Sequence, residues 1–333
     1  MDLTTRYLGL TLRNPLVASA GPIAQTQTGI RQLADAGVGA VVLPSLFEEQ
    51  IRAEAARDAA LAEAGADSFA EALTYLPAAD PDAGPSQYLS LLERAVKAVD
   101  IPVIASLNGV SPGGWTGYAA AIQDSGAAAV ELNVYYLPGD PLTSGREVEQ
   151  RHLDTLTAVK AAVTIPVAVK LGPYFSSPGE VAIRLDEAGA DGLVLFNRFM
   201  QAGIDPETLA VTSRIHLSGP AEAGLPRSWI ARLRGRVRAS LAASTGVEDS
   251  ADVAAYLLAG ADVVMTTSAL LRHGPGHAAV LLDGLSAWMD RKGFAAVDDV
   301  RGKLAAAAAG ERAYGRVGYL HAIQEATRSF SPR

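Results

Sequence analysis

Four times along the chain a helix-like segment runs into glycine and then, within about three residues, into an apolar strand. The segments are Asp35-Ala36-Gly37-Val38-Gly39-Ala40-Val41-Val42, Asp124-Ser125-Gly126-Ala127-Ala128-Ala129-Val130-Glu131, Glu187-Ala188-Gly189-Ala190-Asp191-Gly192-Leu193-Val194 and Leu258-Ala259-Gly260-Ala261-Asp262-Val263-Val264. Glycine ends a helix because the residue past its last turn commonly takes a left-handed backbone. A recurring helix-to-strand junction therefore implies a recurring structural unit. Two further strands enter through Ile101-Pro102 and Ile165-Pro166, one runs from Asn14 into the small residues before Pro22, and Val237 to Thr245 supplies another. Strands near 14, 39, 102, 129, 166, 192, 237 and 262 make eight, alternating with helices. Eight such units without polar edge strands fit an α/β fold of the (β/α)8 TIM-barrel type better than an open doubly wound sheet. The open alternative is further weakened because no G-x-G-x-x-G follows the first strand.

The 333 residues could divide into two domains, but 49% are hydrophobic and no linker interrupts them, so a single domain over 1–333 is expected. Asp2 to Leu12 alternates like a short hairpin. From about residue 278 the chain offers an amphipathic helix around Val280 to Met289, an alanine run at Ala305 to Ala309 and a basic tail, read as closing helices or an oligomer contact. Two βα connections are long: Phe47 to Lys97, which includes the Pro/Asp-rich stretch Tyr75 to Pro85, and Met200 to Pro226. As insertions at the C-terminal face they shape a pocket or lid, or are inert surface excursions. The net charge of −8, with no long Lys or Arg run, argues against nucleic acid or an anionic membrane as partner. The absence of cysteine excludes disulfides, thiolate catalysis and iron-sulfur ligation by this chain. No apolar signal core and no run of 18 apolar residues occur, so a cytoplasmic location is expected.

A barrel carries its active site at the C-terminal ends of its strands. Lys170 stands there, at the end of Val167-Ala168-Val169 and just before Gly172-Pro173 breaks the strand. An ammonium in that position snorkels to water, meets an anionic or polarisable ligand, or forms a structural ion pair. Asn133 and Asn197, with Asn108 beside them, are either turn residues or the neutral donors and acceptors of a planar heterocycle. Arg198 binds an anionic group or pairs with a carboxylate. Strands seven and eight end in Ala243-Ser244-Thr245-Gly246 and Met265-Thr266-Thr267-Ser268, where such barrels often hold a phosphate on backbone N–H groups; helix capping by the hydroxyls is the alternative. His273 and His277 have i,i+4 spacing, but Gly274-Pro275-Gly276 separates them, and no metal site is expected.

The Asn14-Pro15 strand ending in Ser19-Ala20-Gly21, Glu131-Leu132-Asn133, Val169-Lys170-Leu171-Gly172-Pro173-Tyr174-Phe175, the Asn197 strand end, Ser244-Thr245-Gly246-Val247 and Ala259-Gly260-Ala261-Asp262 resemble, in order and spacing over about residues 3 to 300, the dihydroorotate dehydrogenase family, closest to its soluble type. The resemblance implies an FMN-containing barrel. Ser19, Ala20, Gly21, Ser45 and Asn133 would lie beside the flavin, Lys170 would contact the polar edge of its ring, and Thr245, Gly246, Thr267 and Ser268 would surround the ribityl phosphate. Asn133, Asn197 and Arg198 would face the substrate. The substrate side departs from the family pattern. Tyr136 stands where a cysteine or serine base is expected, so Tyr136 and Lys170 are the candidate catalytic residues. Pro44 replaces a substrate-binding lysine, Ala78 an asparagine, and Ser218-Gly219-Pro220 a richer glycine segment. The implied function is hydride transfer from a CH–CH group of a small planar substrate to FMN, with a second electron acceptor, in a cytoplasmic homodimer. If the family activity is retained, dihydroorotate becomes orotate in pyrimidine biosynthesis. The alternatives are a flavin-free Schiff-base lyase using Lys170 and a flavin-binding protein without turnover.

Overall fold

The computed structural model describes residues 1–66, 84–111, 113, 117–200, 202–213 and 215–330. Short strands β1 (Thr5–Tyr7) and β2 (Leu10–Leu12) form an antiparallel hairpin. There follow β3 (Leu16–Ala18), β4 (Ala40–Phe47), β5 (Val103–Asn108), β6 (Ala129–Asn133), β7 (Val167–Leu171) and β8 (Gly192–Leu195). A second small hairpin, β9 (Gly203–Asp205) with β10 (Ala210–Thr212), precedes β11 (Ser240–Ala243) and β12 (Val263–Thr266). Strands β3 to β8, β11 and β12 pair in parallel and close on themselves into an eight-stranded barrel. The expected (β/α)8 architecture is therefore the one adopted.

Its local causes are those read from the sequence. Gly37, Gly126, Gly189 and Gly260, which end the helices of the four repeats, have φ between +91° and +119°, the left-handed region that a β-carbon disfavours. The helices include α1 (Gln27–Asp35), α2 (Glu48–Ala66), α3 (Pro85–Ala98), α4 (Gly117–Asp124), α5 (Gly145–Ala162), α6 (Pro178–Glu187), α7 (Gly224–Leu233) and α8 (Ser250–Ala259). Helix α5 starts at a reciprocal Ser144–Glu147 capping box, which satisfies two N-terminal donors.

Because side chains alternate along a strand, one face of the barrel strands packs on the helices and the other fills the interior. Val17, Ala40, Val42, Ile104, Ala129, Ala168, Val194, Ala242, Val263 and Met265 form the inner apolar cluster together with Tyr7, Leu8 and Leu12 of the N-terminal hairpin. The hairpin plugs the barrel. A β-carbon on Gly192 would lie 2.5 Å from Leu8 Cδ2, so the Leu8 side chain packs in space that glycine leaves open. Leu8 has φ +54°, which costs roughly 1–2 kcal/mol; burying its side chain contributes about 1.5–3 kcal/mol and outweighs that strain.

Both long connections leave the C-terminal ends of strands. The first contains α2 and α3, with residues 67–83 and hence most of the Pro/Asp-rich stretch and Ala78 outside the described residues. The second contains the β9–β10 hairpin, which exposes Ile204, Leu209 and Val211. After β12 come α9 (Ser268–His273) and α10 (His277–Lys292), then short α11 (Val297–Val300), α12 (Ala306–Ala309), α13 (Glu311–Tyr314) and the exposed α14 (Arg316–Phe330). Among the described residues no helix is long and apolar enough to cross a membrane.

Candidate functional site

The inward alternation that gives apolar Ala129 and Ala168 lower in the barrel gives Glu131, Asn133 and Lys170 nearer its C-terminal end. Register aligns Asn108 with Asn133 and Asn133 with Lys170, and aligns Ser106 with Glu131 one step below. The upper layers are thus polar where the lower ones are apolar. Lys170 Nζ lies 3.2 Å from Glu131 Oε1 and 3.5 Å from Ser19 Oγ. The Lys170 and Glu131 side chains are 8% and 1% exposed. Ser45 and Ser106 share a 2.8 Å hydroxyl hydrogen bond, and the Tyr88 hydroxyl accepts from Ser106 N at 2.8 Å while donating to Ser106 O at 3.2 Å. Burial, with Glu131 nearby, pushes the Tyr88 phenol well above its ordinary range, so Tyr88 is a fixed neutral brace.

A second cluster lies where β11 and β12 end. Ser218 N and Oγ both donate to Ser268 Oγ, at 3.0 and 3.1 Å, and Gly246 N donates to Ser218 Oγ at 3.2 Å. Thr245 has φ +83° and is held by Oγ1 to Phe196 O at 3.0 Å and by Tyr256 OH to its carbonyl at 2.6 Å. A non-glycine residue in that region needs such restraint. Thr267 Oγ1 donates to Ser19 O at 3.0 Å, which joins this cluster to the Ser19–Lys170 layer. Two glycines here are closely packed: a β-carbon on Gly21 would stand 2.4 Å from Thr267 Oγ1, and one on Gly246, whose φ is +76°, 2.8 Å from Ala223 Cβ and N, so a neighbour would have to shift. Beside them Arg272 donates to Ser218 O at 2.7 Å and pairs with Glu248. Hydrogen bonding from His273 first, then the charge of Arg272, holds the Glu248 carboxyl below the usual carboxylate range.

The substrate-side candidates separate. Asn197 Nδ2 donates to Asn133 Oδ1 at 3.0 Å, so these two do meet. Arg198 turns to the surface, pairing with Glu222 at 2.7 Å and donating to His216 O, which is the carboxylate alternative left open by the sequence. The Arg151 guanidinium lies 4.4 Å from the centroid of the Tyr136 ring. Tyr135 packs on Phe199 at 4.5 Å between centroids and accepts from Met200 N at 2.7 Å, and Tyr174 also packs on Phe199, at 5.2 Å. Beneath this loop His152 is buried, Nδ1 at 2.8 Å from Val148 O; burial lowers its pKa, against backbone hydrogen bonds to Val148 and Val134. His273 and His277 approach at 4.6 Å between centroids. Among the described residues no group of three or more His, Cys, Asp or Glu could hold a metal ion.

Glu131, Ser106, Tyr88 and Ser218 belong to the site without having been singled out from the sequence. Glu131 had a signal: an acid at an inward position of an otherwise apolar strand. Ser218 was met only as the start of the Ser218-Gly219-Pro220 segment, and with no periodicity in that connection nothing in the sequence aims its hydroxyl.

The family model of dihydroorotate dehydrogenase matches residues 2–289. The catalytic subunit of dihydroorotate dehydrogenase B (NAD(+)) of Methanocella arvoryzae is 30% identical over 298 residues, 88% of this chain and 94% of that protein. The subunit of the same description from Methanothermobacter thermautotrophicus is 27% identical over 320 residues, 90% of this chain and 97% of its own. A putative dihydroorotate dehydrogenase A (fumarate) of Aeropyrum pernix is 31% identical over 217 residues, 64% of this chain and 70% of its own. Since the matched stretch takes in every barrel strand and the rim they build, the chain belongs to the dihydroorotate dehydrogenase family.

Proposed function

We propose that this protein is an FMN-dependent oxidoreductase acting on a CH–CH group of a small planar substrate. The observation that carries the reading is the continuous inner rim from Lys170 through Ser19 and Thr267 to the cradle at Gly246 and Ser268. Its residues fit a flavin mononucleotide. At Gly21 and Gly246 the space a β-carbon would take is already filled by Thr267 and Ala223, so these glycines let the segments around the cradle pack closely on one another. Ser19, Ala20, Gly21, Ser45 and Asn133 would line the ring, Lys170 would face its polar edge, and Thr245, Gly246, Thr267 and Ser268 would hold the phosphate. When bound, FMN supplies the two-electron chemistry, which no side chain of the site provides. The chain's own part is to bind, orient and supply charge. A Schiff-base lysine needs a neutral amine, favoured by an apolar pocket or a neighbouring cation, whereas Lys170 faces the Glu131 carboxylate; this favours the flavoprotein over the lyase.

Dihydroorotate is the substrate that the relatives' names give, and here it is expected to be a poor one. Its oxidation needs a base for the second hydrogen as well as the flavin. A phenol with an ordinary pKa near 10 is a weak base at neutral pH, about 4 kcal/mol from ionised. Tyr136 is stacked on Arg151, Arg198 is engaged by Glu222, and Pro44 offers no ammonium for a carboxylate. The electron acceptor is a separate partner, and we place the protein in the cytoplasm as a homodimer. The test begins with denaturing the purified protein and identifying what it releases: FMN is expected, and release of none, with no uptake on reconstitution, refutes the reading. Anaerobic reduction of the reconstituted protein by dihydroorotate is then followed for wild type and Tyr136→Phe. Slow reduction in both is expected; fast reduction in both would make dihydroorotate the substrate with its base elsewhere, and fast reduction lost only in the variant would make Tyr136 the base.

A further inference from the structure

The polar layer inside the barrel contains a charge pair and one unmatched oxygen. Glu131 and Lys170 occupy inward positions of the neighbouring strands β6 and β7, with Oε1 3.2 Å from Nζ. Among the described residues the buried Glu131 Oε2 has no hydrogen-bond partner. As a device for stability this is poor. Desolvating two charges is costly, half the carboxylate is unsatisfied, and apolar side chains of similar volume often hold a core as well or better. The pair is better explained by the rim above it.

Two effects on Lys170 follow from the contact. Its ammonium is tethered, to Glu131 on one side and close to Ser19 on the other, so it cannot swing to water. Its charge is also partly cancelled, since an anion stands directly behind it. We propose that Glu131 is a positioning residue that fixes the Lys170 ammonium and, through it, sets the redox potential of FMN held at this rim; the inference rests on the FMN reading above. Reduction adds negative charge to the ring. Lys170 favours that charge and Glu131 moderates the favour, so removing only the carboxylate should make the bound flavin easier to reduce.

The experiment reconstitutes wild type, Glu131→Gln, Lys170→Met and the double variant with FMN. It measures the FMN dissociation constant by fluorescence and the midpoint potential against reference dyes under anaerobic conditions. Glu131→Gln, which keeps the volume of the side chain, is expected to raise the preference for reduced over oxidised flavin by about tenfold, a shift of about +30 mV for a two-electron couple. Lys170→Met is expected to lower the potential. In the Lys170→Met background the glutamine substitution should change little, because a carboxylate left unpaired inside the barrel neutralises and has no charge left to remove. An unmoved potential in Glu131→Gln overturns the proposal. So does an equal shift with and without Lys170, which would make Glu131 an independent charge. If Glu131→Gln alone does not fold, the double variant, which lacks the unpaired Lys170 ammonium, is compared with Lys170→Met: equal potentials support the proposal, and a shift of about +30 mV or more overturns it. A wild-type protein that takes up no FMN overturns the FMN reading and this inference together, whereas normal uptake with an unmoved potential overturns this inference alone.

Discussion

Lys170→Met should destabilise the FMN-free protein by about 3–5 kcal/mol. Methionine is unbranched and of similar length, so the packing volume is nearly conserved. What is lost is the ammonium 3.2 Å from Glu131 Oε1 and 3.5 Å from Ser19 Oγ. Glu131 already has one oxygen unpartnered, and the substitution leaves both so. Burial decides the magnitude. The two side chains are 8% and 1% exposed, and breaking a buried pair from one side leaves a carboxyl that must be neutralised, at a cost, to stay in the barrel. The Arg198–Glu222 pair is shorter, 2.7 Å, but its side chains are 36% and 41% exposed, so Arg198→Ala should cost only about 0.2–1 kcal/mol. The double variant Lys170→Met/Glu131→Gln removes the unpaired carboxyl and the cost of neutralising it, and should recover about 2 kcal/mol relative to Lys170→Met, as residues in direct contact couple non-additively. The assay is urea unfolding at pH 7, with flavin stripped beforehand because a ligand bound only to the native state adds its own stabilisation. A cost below about 1 kcal/mol for Lys170→Met, the surface range, or a double variant as unstable as the sum of the singles, would refute the reasoning.

Gly246→Ala should lower stability by about 1–2 kcal/mol from left-handed strain, and FMN uptake measured by fluorescence should fall, because the added β-carbon must displace Ala223; unchanged uptake would remove Gly246 from the cradle. His152 gives a pH dependence. Burial depresses its pKa in the folded state, so as pH drops through about 6.5 the unfolded chain binds the proton first and stability falls. Urea midpoints between pH 7.5 and 5 should therefore fall more steeply for wild type than for His152→Gln, and parallel curves would contradict that sign.

The barrel was legible because its signals are local and repeat. Four helix-ending glycines have the left-handed backbone that the junctions implied, and the two Ile-Pro entries lead into β5 and β7. The β9–β10 hairpin was not legible. Its strands have only three residues each and expose most of their apolar side chains, so no half-buried alternation marks them. The interior plug is intermediate: alternation gave the N-terminal hairpin, but its position inside the barrel depends on Leu8 meeting Gly192, a contact between residues far apart in the chain.

The candidate site divides in the same way. Strand ends are fixed by periodicity and register, so Asn133 and Lys170 fall side by side, and the glycine and hydroxyl residues after β11 and β12 converge on one cradle. Inward alternation also puts Glu131 on the face of Lys170, a consequence open to anyone counting by twos from Asn133. Past the strand ends, sequence offset no longer fixes direction. Tyr136 is three residues beyond Asn133, but its ring is set by Arg151 of α5; Arg198 directly follows Asn197, but its guanidinium is set by Glu222. Position along the chain therefore fixes side chains on strands and tight turns more securely than those on loops, whose direction their partners set. That asymmetry makes Arg151 relevant to Tyr136: the guanidinium over the ring restrains the phenol's orientation, so a role for Tyr136 in substrate oxidation would depend on that contact as well as on its hydroxyl.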